Sequence, residues 1–111
     1  MIEVDAQDNG DSAVIRPTGR LTMVTAPELR SAVVGAVDAG RVRIVIDLGA
    51  CEFIDSSGLG AIIGGLKKAR QAGGDLRIAR VGEQVATVLQ LTNLDRVLRP
   101  HATVEGALRD A

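Results

Sequence analysis

The feature that most constrains the fold is the segment 44–66, in which a continuous aliphatic run is followed by a pattern of helical period. The run 44–46 is typical of a strand covered on both faces. Beyond it, apolar residues recur at intervals of three and four, as on one helical face; they are Leu59, Ile62, Ile63, Leu66 and Ala69. A buried strand that leads into an amphipathic helix predicts an α/β fold.

The ends of this helix also have sequence signals. Ser56 lies just before the regular pattern and is the predicted N-cap, while Gly73 and Gly74 are predicted to end the helix. Phe53 and Ile54, just before the cap, are predicted to return to the core.

Four glycines lie inside the predicted helix, and each costs about 0.8–1 kcal/mol relative to alanine. Gly60 and Gly64 fall opposite the apolar stripe, on the side predicted to carry Ser57, Ala61 and Lys68. A backbone with few side chains allows close approach with little loss of side-chain entropy, so we interpret this side as a docking surface. For Gly58 and Gly65, tight packing of the helix on the sheet is an equally good explanation.

The remaining periodicities predict further elements around this unit. Predicted strands lie at 2–6, 12–16, 42–48, 75–80 and 96–99, with an Asn9-Gly10 turn after the first and a loop at 19–24. Helices are predicted from a capping box of Thr25 and Glu28, at 83–91, and after Thr103 as N-cap. The alternation predicts a mixed sheet with helices packed on it.

Residues 55–61, with the sequence DSSGLGA, resemble the D-S-[ST]-G-[LI]-G hallmark of the STAS domain, and within that family the bacterial anti-sigma factor antagonists. The resemblance covers nearly the whole chain, because it includes the strand ending at Asp47-Leu48, the Gly73-Gly74 turn and the upstream segment 19–21. It implies an α/β fold, namely a single STAS-like domain over residues 1–111 with a mixed β-sheet of about five strands and about four helices.

The resemblance also implies a function. Antagonists of this family bind an anti-sigma factor and thereby free a sigma factor to direct transcription. The anti-sigma factor is commonly a serine kinase that inactivates the antagonist by phosphorylating the first serine of the hallmark, Ser56 here, and a PP2C-type phosphatase restores it. Ser57 is left open as a second site. The kinase activity and ATP belong to the partner, so this chain is expected to be no enzyme and to need no cofactor.

Elementary electrostatics makes such a switch plausible at Ser56. Phosphorylation adds a charge of about −1.5 to −2, which the positive end of a helix dipole favours. Asp55 alongside opposes it. An unmatched dianion buried in an interface costs several kcal/mol, so one phosphate would abolish binding without unfolding the domain.

One position departs from the family pattern. Members often carry aspartate directly after the Gly-x-Leu of the upstream loop, close to the phosphoserine, where it influences kinase recognition; here Thr22 follows. The predicted partner-binding residues are Thr22, Asp55, Ser56, Ser57, Gly58, Gly60, Ala61, Gly64 and Lys68.

Composition argues against several other functions. Thirteen basic and fourteen acidic residues nearly cancel without any basic run, so nucleic acid is not an expected partner. The single Cys51 cannot form an internal disulfide or a CxxC metal site, and its expected role is that of a small, half-buried side chain. Neither a signal peptide nor a membrane span is visible, which predicts a cytoplasmic protein without a membrane partner. The chain is further expected to be a monomer or weak dimer.

Catalytic and phosphate-binding motifs are incomplete. Ile54 stands where a G-x-S-x-G motif needs its first glycine, Ile63 where a dinucleotide fingerprint needs its last, and Leu66 where a P-loop needs lysine. The lone His101 follows Pro100 and is expected in a loop. Three carboxylates could gather near one edge of the sheet, but without a histidine or a further acid they make only a weak metal site; they are Asp47, Glu52 and Asp55.

Two alternatives remain open. The chain could be a STAS subunit of another assembly, such as a lipid-transport complex or a stress-signalling scaffold, in which Ser56 is a plain N-cap. It could also be a small-ligand or nucleotide-binding domain, although no complete phosphate motif supports that function.

Overall fold

The computed structural model describes residues 2–6 and 10–109. In chain order the strands are β1 (Ile2–Ala6), β2 (Ser12–Pro17), β3 (Gly19–Leu21), β4 (Arg43–Asp47), β5 (Cys51–Ile54) and β6 (Asp75–Ala79). The helices are α1 (Ala26–Asp38), α2 (Ser56–Gln71), α3 (Glu83–Leu91), α4 (Asp95–Leu98) and α5 (Val104–Arg109). The predicted α/β class with a mixed sheet is confirmed.

The main sheet has the strand order β1-β2-β4-β6, with β1 antiparallel to β2 and the other pairs parallel. Ile46 of β4 lies opposite Ile15 of β2 and Ile78 of β6, and all three are fully buried. Both faces of the inner strands are covered, as aliphatic runs in parallel strands require. Helices α1, α2 and α3 contribute to the main core, while Ala107 of α5 packs on the opposite face.

A second, two-stranded sheet was not expected from the sequence. The prediction that residues 19–24 form a loop is wrong for β3, which pairs in parallel with β5. On the other side of β5, the Gln84 side chain accepts a hydrogen bond from Ile54 N at 2.9 Å and donates one to Ile54 O at 3.0 Å. Strands of three and four residues are too short to give a readable alternation, so their pairing is visible only in three dimensions.

The predicted strand at 96–99 is also wrong, because this segment lies mostly in α4. Leu98 N donates to Leu94 O at 2.9 Å, and Leu98 is buried in the core. A four-residue apolar pattern does not separate the helical from the extended period. The residue that pairs with the edge of β6 comes after Pro100: His101 forms an isolated parallel bridge with Ala79.

The predicted N-cap of α1 is confirmed, but its capping box and the predicted N-cap of α2 are wrong. Thr25 is the N-cap of α1, but its side chain makes no capping hydrogen bond; its hydroxyl donates to Arg20 O at 2.8 Å and accepts from Thr22 N at 2.9 Å. Glu28 accepts from the backbone N–H of Ile2 instead of closing a capping box. In α2 the N-cap is Asp55, not Ser56, because a carboxylate one residue earlier reaches the free N–H group first.

The predicted helix ends are confirmed for α1 and α2. Gly40 and Gly73 adopt φ of +86° and +88°, the left-handed region that favours glycine. Gly74 N donates to Ala69 O at 2.9 Å, which completes a Schellman-type end to α2. At the start of α5, Thr103 caps as predicted, since its hydroxyl accepts from Gly106 N.

Two further expectations concern single sites. Phe53 was expected in the core, but it is half-buried, with the Arg20 guanidinium 4.3 Å from its ring centroid. The Asn9-Gly10 turn lies outside the described residues except for Gly10. Within residues 2–6 and 10–109, no helix combines the length and apolar character that crossing a bilayer requires.

Asp47, at the end of β4, is the buried acidic residue of the sheet. It is 2 % exposed, and its Oδ2 lies 3.2 Å from Arg16 Nε and 3.1 Å from Arg80 Nη1. Its Oδ1 accepts from Gly49 N at 3.0 Å, which shapes the turn between β4 and β5. The carboxylate therefore joins β2, β4 and the residue after β6 at the end of the sheet nearest to β5.

We predict that Asp47→Ala lowers the free energy of unfolding by about 1–3 kcal/mol, because a buried acceptor of three N–H groups is lost. The two arginines are partly exposed and can rehydrate, which limits the loss. The matched control is Asp75→Ala, whose more exposed ion pairs contribute about 0–1 kcal/mol. Urea unfolding followed by circular dichroism measures both, and equal losses would contradict the role given to Asp47.

Candidate functional site

Ser56 is the first residue of α2 and lies on the surface. Its side chain is exposed and forms no hydrogen bond with any part of the chain that the structure describes. Ser57, the next residue, is half-buried. Because Asp55 rather than Ser56 caps the helix, the Ser56 hydroxyl is not needed to hold the helix start and is accessible to a partner.

Asp55 joins this helix start to the turn that precedes α1. Its Oδ1 accepts from Gly58 N at 2.9 Å, and its Oδ2 accepts from Met23 N at 3.3 Å. Its own N–H donates to Leu21 O at 3.2 Å, the last residue of β3. One carboxylate thus fixes the position of the 22–25 turn relative to Ser56.

The turn itself is closed by its two threonines. Ala26 N donates to Thr22 O at 2.7 Å, and the Thr22 hydroxyl accepts from Val24 N at 3.3 Å. This arrangement points Met23 and Val24 outward, where they are 73 % and 83 % exposed. Sequence analysis missed both residues, although two adjacent apolar residues in a short polar turn are a usable signal for a surface contact.

The glycine-bearing side of α2 continues the exposed surface. Gly60 and Gly64 are exposed, and a Cβ built on either would have no heavy atom within 4 Å apart from the adjacent backbone of α2 itself. Lys68, one turn further, is half-buried. We call the set Met23, Val24, Ser56, Gly60 and Gly64 the exposed α2 surface.

Two residues assigned to this surface from the sequence lie inside the protein. Ala61 is fully buried in the core, so its predicted place on the outer side of α2 is wrong. It follows Gly60 directly, and this one step around the helix leads from the exposed face to the buried face. Gly58 is buried against β3, and a Cβ there would collide with Leu21 O. For Gly58 and Gly65 the packing explanation holds, since a Cβ on Gly65 would lie 3.1 Å from Leu76 Cδ1.

The three carboxylates once considered for a metal serve separate purposes. Asp47 is bonded to arginines, Asp55 caps α2, and Glu52 is exposed. Among the described residues, no group of three or more acidic, histidine or cysteine side chains could hold an ion. Cys51 is more buried than expected, and its burial raises the pKa of the thiol, so the side chain remains protonated at neutral pH.

Fold and site together define a small α/β domain with a serine exposed at the start of a glycine-rich helix. The sequence model of the STAS domain matches residues 3–107, and the chain belongs to this family. The described α/β architecture is that of the STAS fold.

Similar proteins within the family are anti-sigma factor antagonists. The anti-sigma-B factor antagonist of Bacillus subtilis is 27% identical over 108 residues, which cover 97% of this chain and 98% of that protein. A candidate anti-sigma factor antagonist of Thermotoga maritima has a crystal structure with a TM-score of 0.88 and 29% identity, covering 98% and 92% of the two chains. The phosphorylated form of SpoIIAA, a Bacillus cell fate determinant, shares the fold, with a TM-score of 0.75, 22% identity and coverage of 97% and 96%.

The two neighbouring glycines give a matched test of this geometry. We predict that Gly58→Ala destabilises the protein by about 1–3 kcal/mol, because the new methyl group meets a backbone oxygen that cannot move away cheaply. Gly60→Ala should stabilise it by up to about 1 kcal/mol, because alanine is the better helix former and space is free. Chemical unfolding of both variants measures the difference; a stabilising Gly58→Ala would contradict the packing of α2 against β3.

Proposed function

We propose that this protein is an anti-sigma factor antagonist that binds an anti-sigma factor through the exposed α2 surface and so releases a sigma factor. The observation that carries this proposal is the position of Ser56, exposed at the head of α2 beside a side-chain-poor flank. The antagonists to which the chain is similar support the choice of partner. The proposal assigns no catalysis to this chain and places it in the cytoplasm with that partner.

The physical properties of the exposed α2 surface favour a protein partner. Gly60 and Gly64 have no side chains to immobilise, so a partner can contact the helix backbone with little loss of entropy. Met23 and Val24 provide apolar contact area at one end of the same surface. Asp55 holds the turn and the helix together, so both parts are presented in a fixed arrangement before binding.

Phosphorylation of Ser56 is the proposed step that abolishes binding. The anti-sigma factor would act as the serine kinase, and a PP2C-type phosphatase would remove the phosphate. The fold can accept the phosphate because Ser56 lies at a helix N-terminus, where the dipole favours an anion. A partner seated on Met23 and Gly60 would have to bury the new charge beside Asp55. The added repulsion and desolvation would act on the complex and not on the folded domain.

Thr22 supports a second candidate, a STAS subunit of a lipid-transport or stress-signalling assembly in which Ser56 is never modified. Where family members often carry aspartate, the Thr22 hydroxyl accepts from Val24 N and closes the turn without a charge. The turn is therefore closed without a carboxylate at position 22. A kinase that recognises an aspartate at position 22 would fail to recognise this chain, whereas a partner could still dock on the exposed α2 surface.

A direct test uses the anti-sigma factors of the source organism, purified one by one. We expect one of them to bind wild type and Ser56→Ala in calorimetry and to bind Ser56→Asp at least about tenfold more weakly, since 1.4 kcal/mol of lost affinity is tenfold. With ATP, the same factor should phosphorylate wild type and Ser57→Ala but not Ser56→Ala, as read by mass spectrometry. Binding by wild type and Ser56→Asp with equal affinity would remove the switch. Binding without phosphorylation would keep the anti-sigma factor as partner and remove the kinase switch, whereas binding to none of the anti-sigma factors would favour the second candidate.

The docking surface has its own test in Gly64→Leu. A Cβ at position 64 meets no atom of the other elements and the site is exposed, so the melting temperature should stay near or above that of wild type. Binding of the anti-sigma factor should weaken at least tenfold, because the side chain occupies the space that the partner's atoms need. The matched control is Gly35→Leu, at an exposed glycine of α1 that is equally open. If both variants bind as wild type does, the partner docks elsewhere.

A further inference from the structure

A cluster of arginines lies at the end of α2 opposite to Ser56. A cleft of about 320 Å³ is lined by four arginines, one aspartate and three apolar residues: Arg70, Arg77, Arg96, Arg99, Asp75, Leu76, Val97 and Leu98. Four guanidinium groups and one carboxylate give this cleft a formal charge of +3, in a chain whose net charge is −1. No basic run in the sequence indicates it, because the arginines come from α2, β6 and the α4 region.

On one side of the cleft, Asp75 holds two of the guanidinium groups. Arg70 Nε lies 3.2 Å from Asp75 Oδ1, and Arg77 Nη2 lies 3.5 Å from Asp75 Oδ2. Asp75 Oδ1 also accepts from Leu76 N at 2.9 Å, which fixes the carboxylate. This carboxylate neutralises one positive charge and spaces the two arginines around itself.

On the other side, Arg96 and Arg99 have no carboxylate partner. Both are exposed, and neither side chain forms an ion pair or hydrogen bond with the described part of the chain. Two positive charges without a carboxylate partner thus lie next to a pair of arginines that shares one carboxylate.

The backbone around Arg99 is well anchored. Arg99 adopts φ of 47° and ψ of 76°, a left-handed conformation that is uncommon for a residue with a side chain. The buried Leu98 lies before it, and His101 after it bonds to β6 through Ile78 O. Arg99 is the C-cap of α4, so the end of this helix and its anchored neighbours fix where its side chain begins.

We propose that this cleft binds a small anion with two or more linked phosphoryl groups. Arginine is the side chain best suited to phosphate oxygens, because its planar fork donates paired, charge-assisted hydrogen bonds. A single monoanion would leave most of the positive charge unmatched, whereas linked phosphoryl groups bring several negative charges into a cleft whose formal charge is +3. The cleft is also at the lower end of the size range of small-molecule sites.

The lining indicates which part of such a ligand is recognised. The only aromatic residue of the chain, Phe53, stacks with Arg20 and does not line the cleft, so there is no ring on which a nucleobase could stack. Recognition would therefore rest on the phosphoryl groups. Arg70 is fourteen residues from Ser56 along α2, about 21 Å at 1.5 Å per residue, so the ligand and a partner on the exposed α2 surface can bind together.

The test measures binding of inorganic tripolyphosphate to the whole chain by calorimetry at low salt, with backbone amide NMR to locate it. We expect tripolyphosphate to bind at least tenfold more tightly than orthophosphate and to shift the amides of 96–99 and 75–77. ADP should bind about as tightly as pyrophosphate if only the phosphoryl groups are recognised. Raising the salt should weaken binding, because the ligand is held by charge.

The matched variants are Arg96→Gln and Arg99→Gly in the cleft and Arg30→Gln on the exposed side of α1. Glycine at position 99 tolerates the left-handed backbone, so the variant removes the charge without adding strain. Each cleft variant should weaken tripolyphosphate binding about tenfold, as expected for a lost charge-assisted hydrogen bond, and Arg30→Gln less than twofold. No binding, an equal effect of Arg30→Gln, or tighter binding of a polyglutamate peptide or a single-stranded oligonucleotide would overturn the proposal.

Discussion

The close contact between the first turn of α2 and the backbone of β3 is the constraint on which the functional surface depends. Only glycine fits at position 58, because any Cβ would collide with Leu21 O. Asp55 secures the same contact by bonding to Gly58 N, to Met23 N and, through its own N–H, to Leu21 O. The position of Ser56 relative to Met23 and Val24 follows from these contacts.

Much of the fold could be predicted from the sequence, because its main elements have long or sharply bounded patterns. The buried strand β4, the amphipathic α1 and α2, and the glycine helix ends at Gly40 and Gly73 were identified correctly. The errors fall on short segments, in which the hydrophobic period cannot distinguish a helix from a strand. The examples are β3, with three residues, and α4, with four. Their conformation is set by tertiary partners, Cys51–Ile54 for β3 and the core around Leu98 for α4.

The candidate site was predicted less evenly. The helical period placed Gly60 and Gly64 on the open side correctly, but it placed Ala61 there as well, because one residue corresponds to 100° and the boundary of a face is not sharp. The competition between Asp55 and Ser56 for the cap depends on backbone conformation, which a sequence pattern does not contain. The arginine cleft could not be predicted at all, since it is assembled from residues up to 29 positions apart.

The amide of Gln84 bonds to both the N–H and the C=O of Ile54, on the side of β5 that β3 does not cover. A side chain thereby takes the place of a neighbouring strand. A chain approaching this edge would have to displace the amide before it could form its own ladder, which protects a short sheet from extending between molecules. Stray polymerisation through this edge is disfavoured, and contacts through helix surfaces remain the easier route by which the domain can meet other proteins.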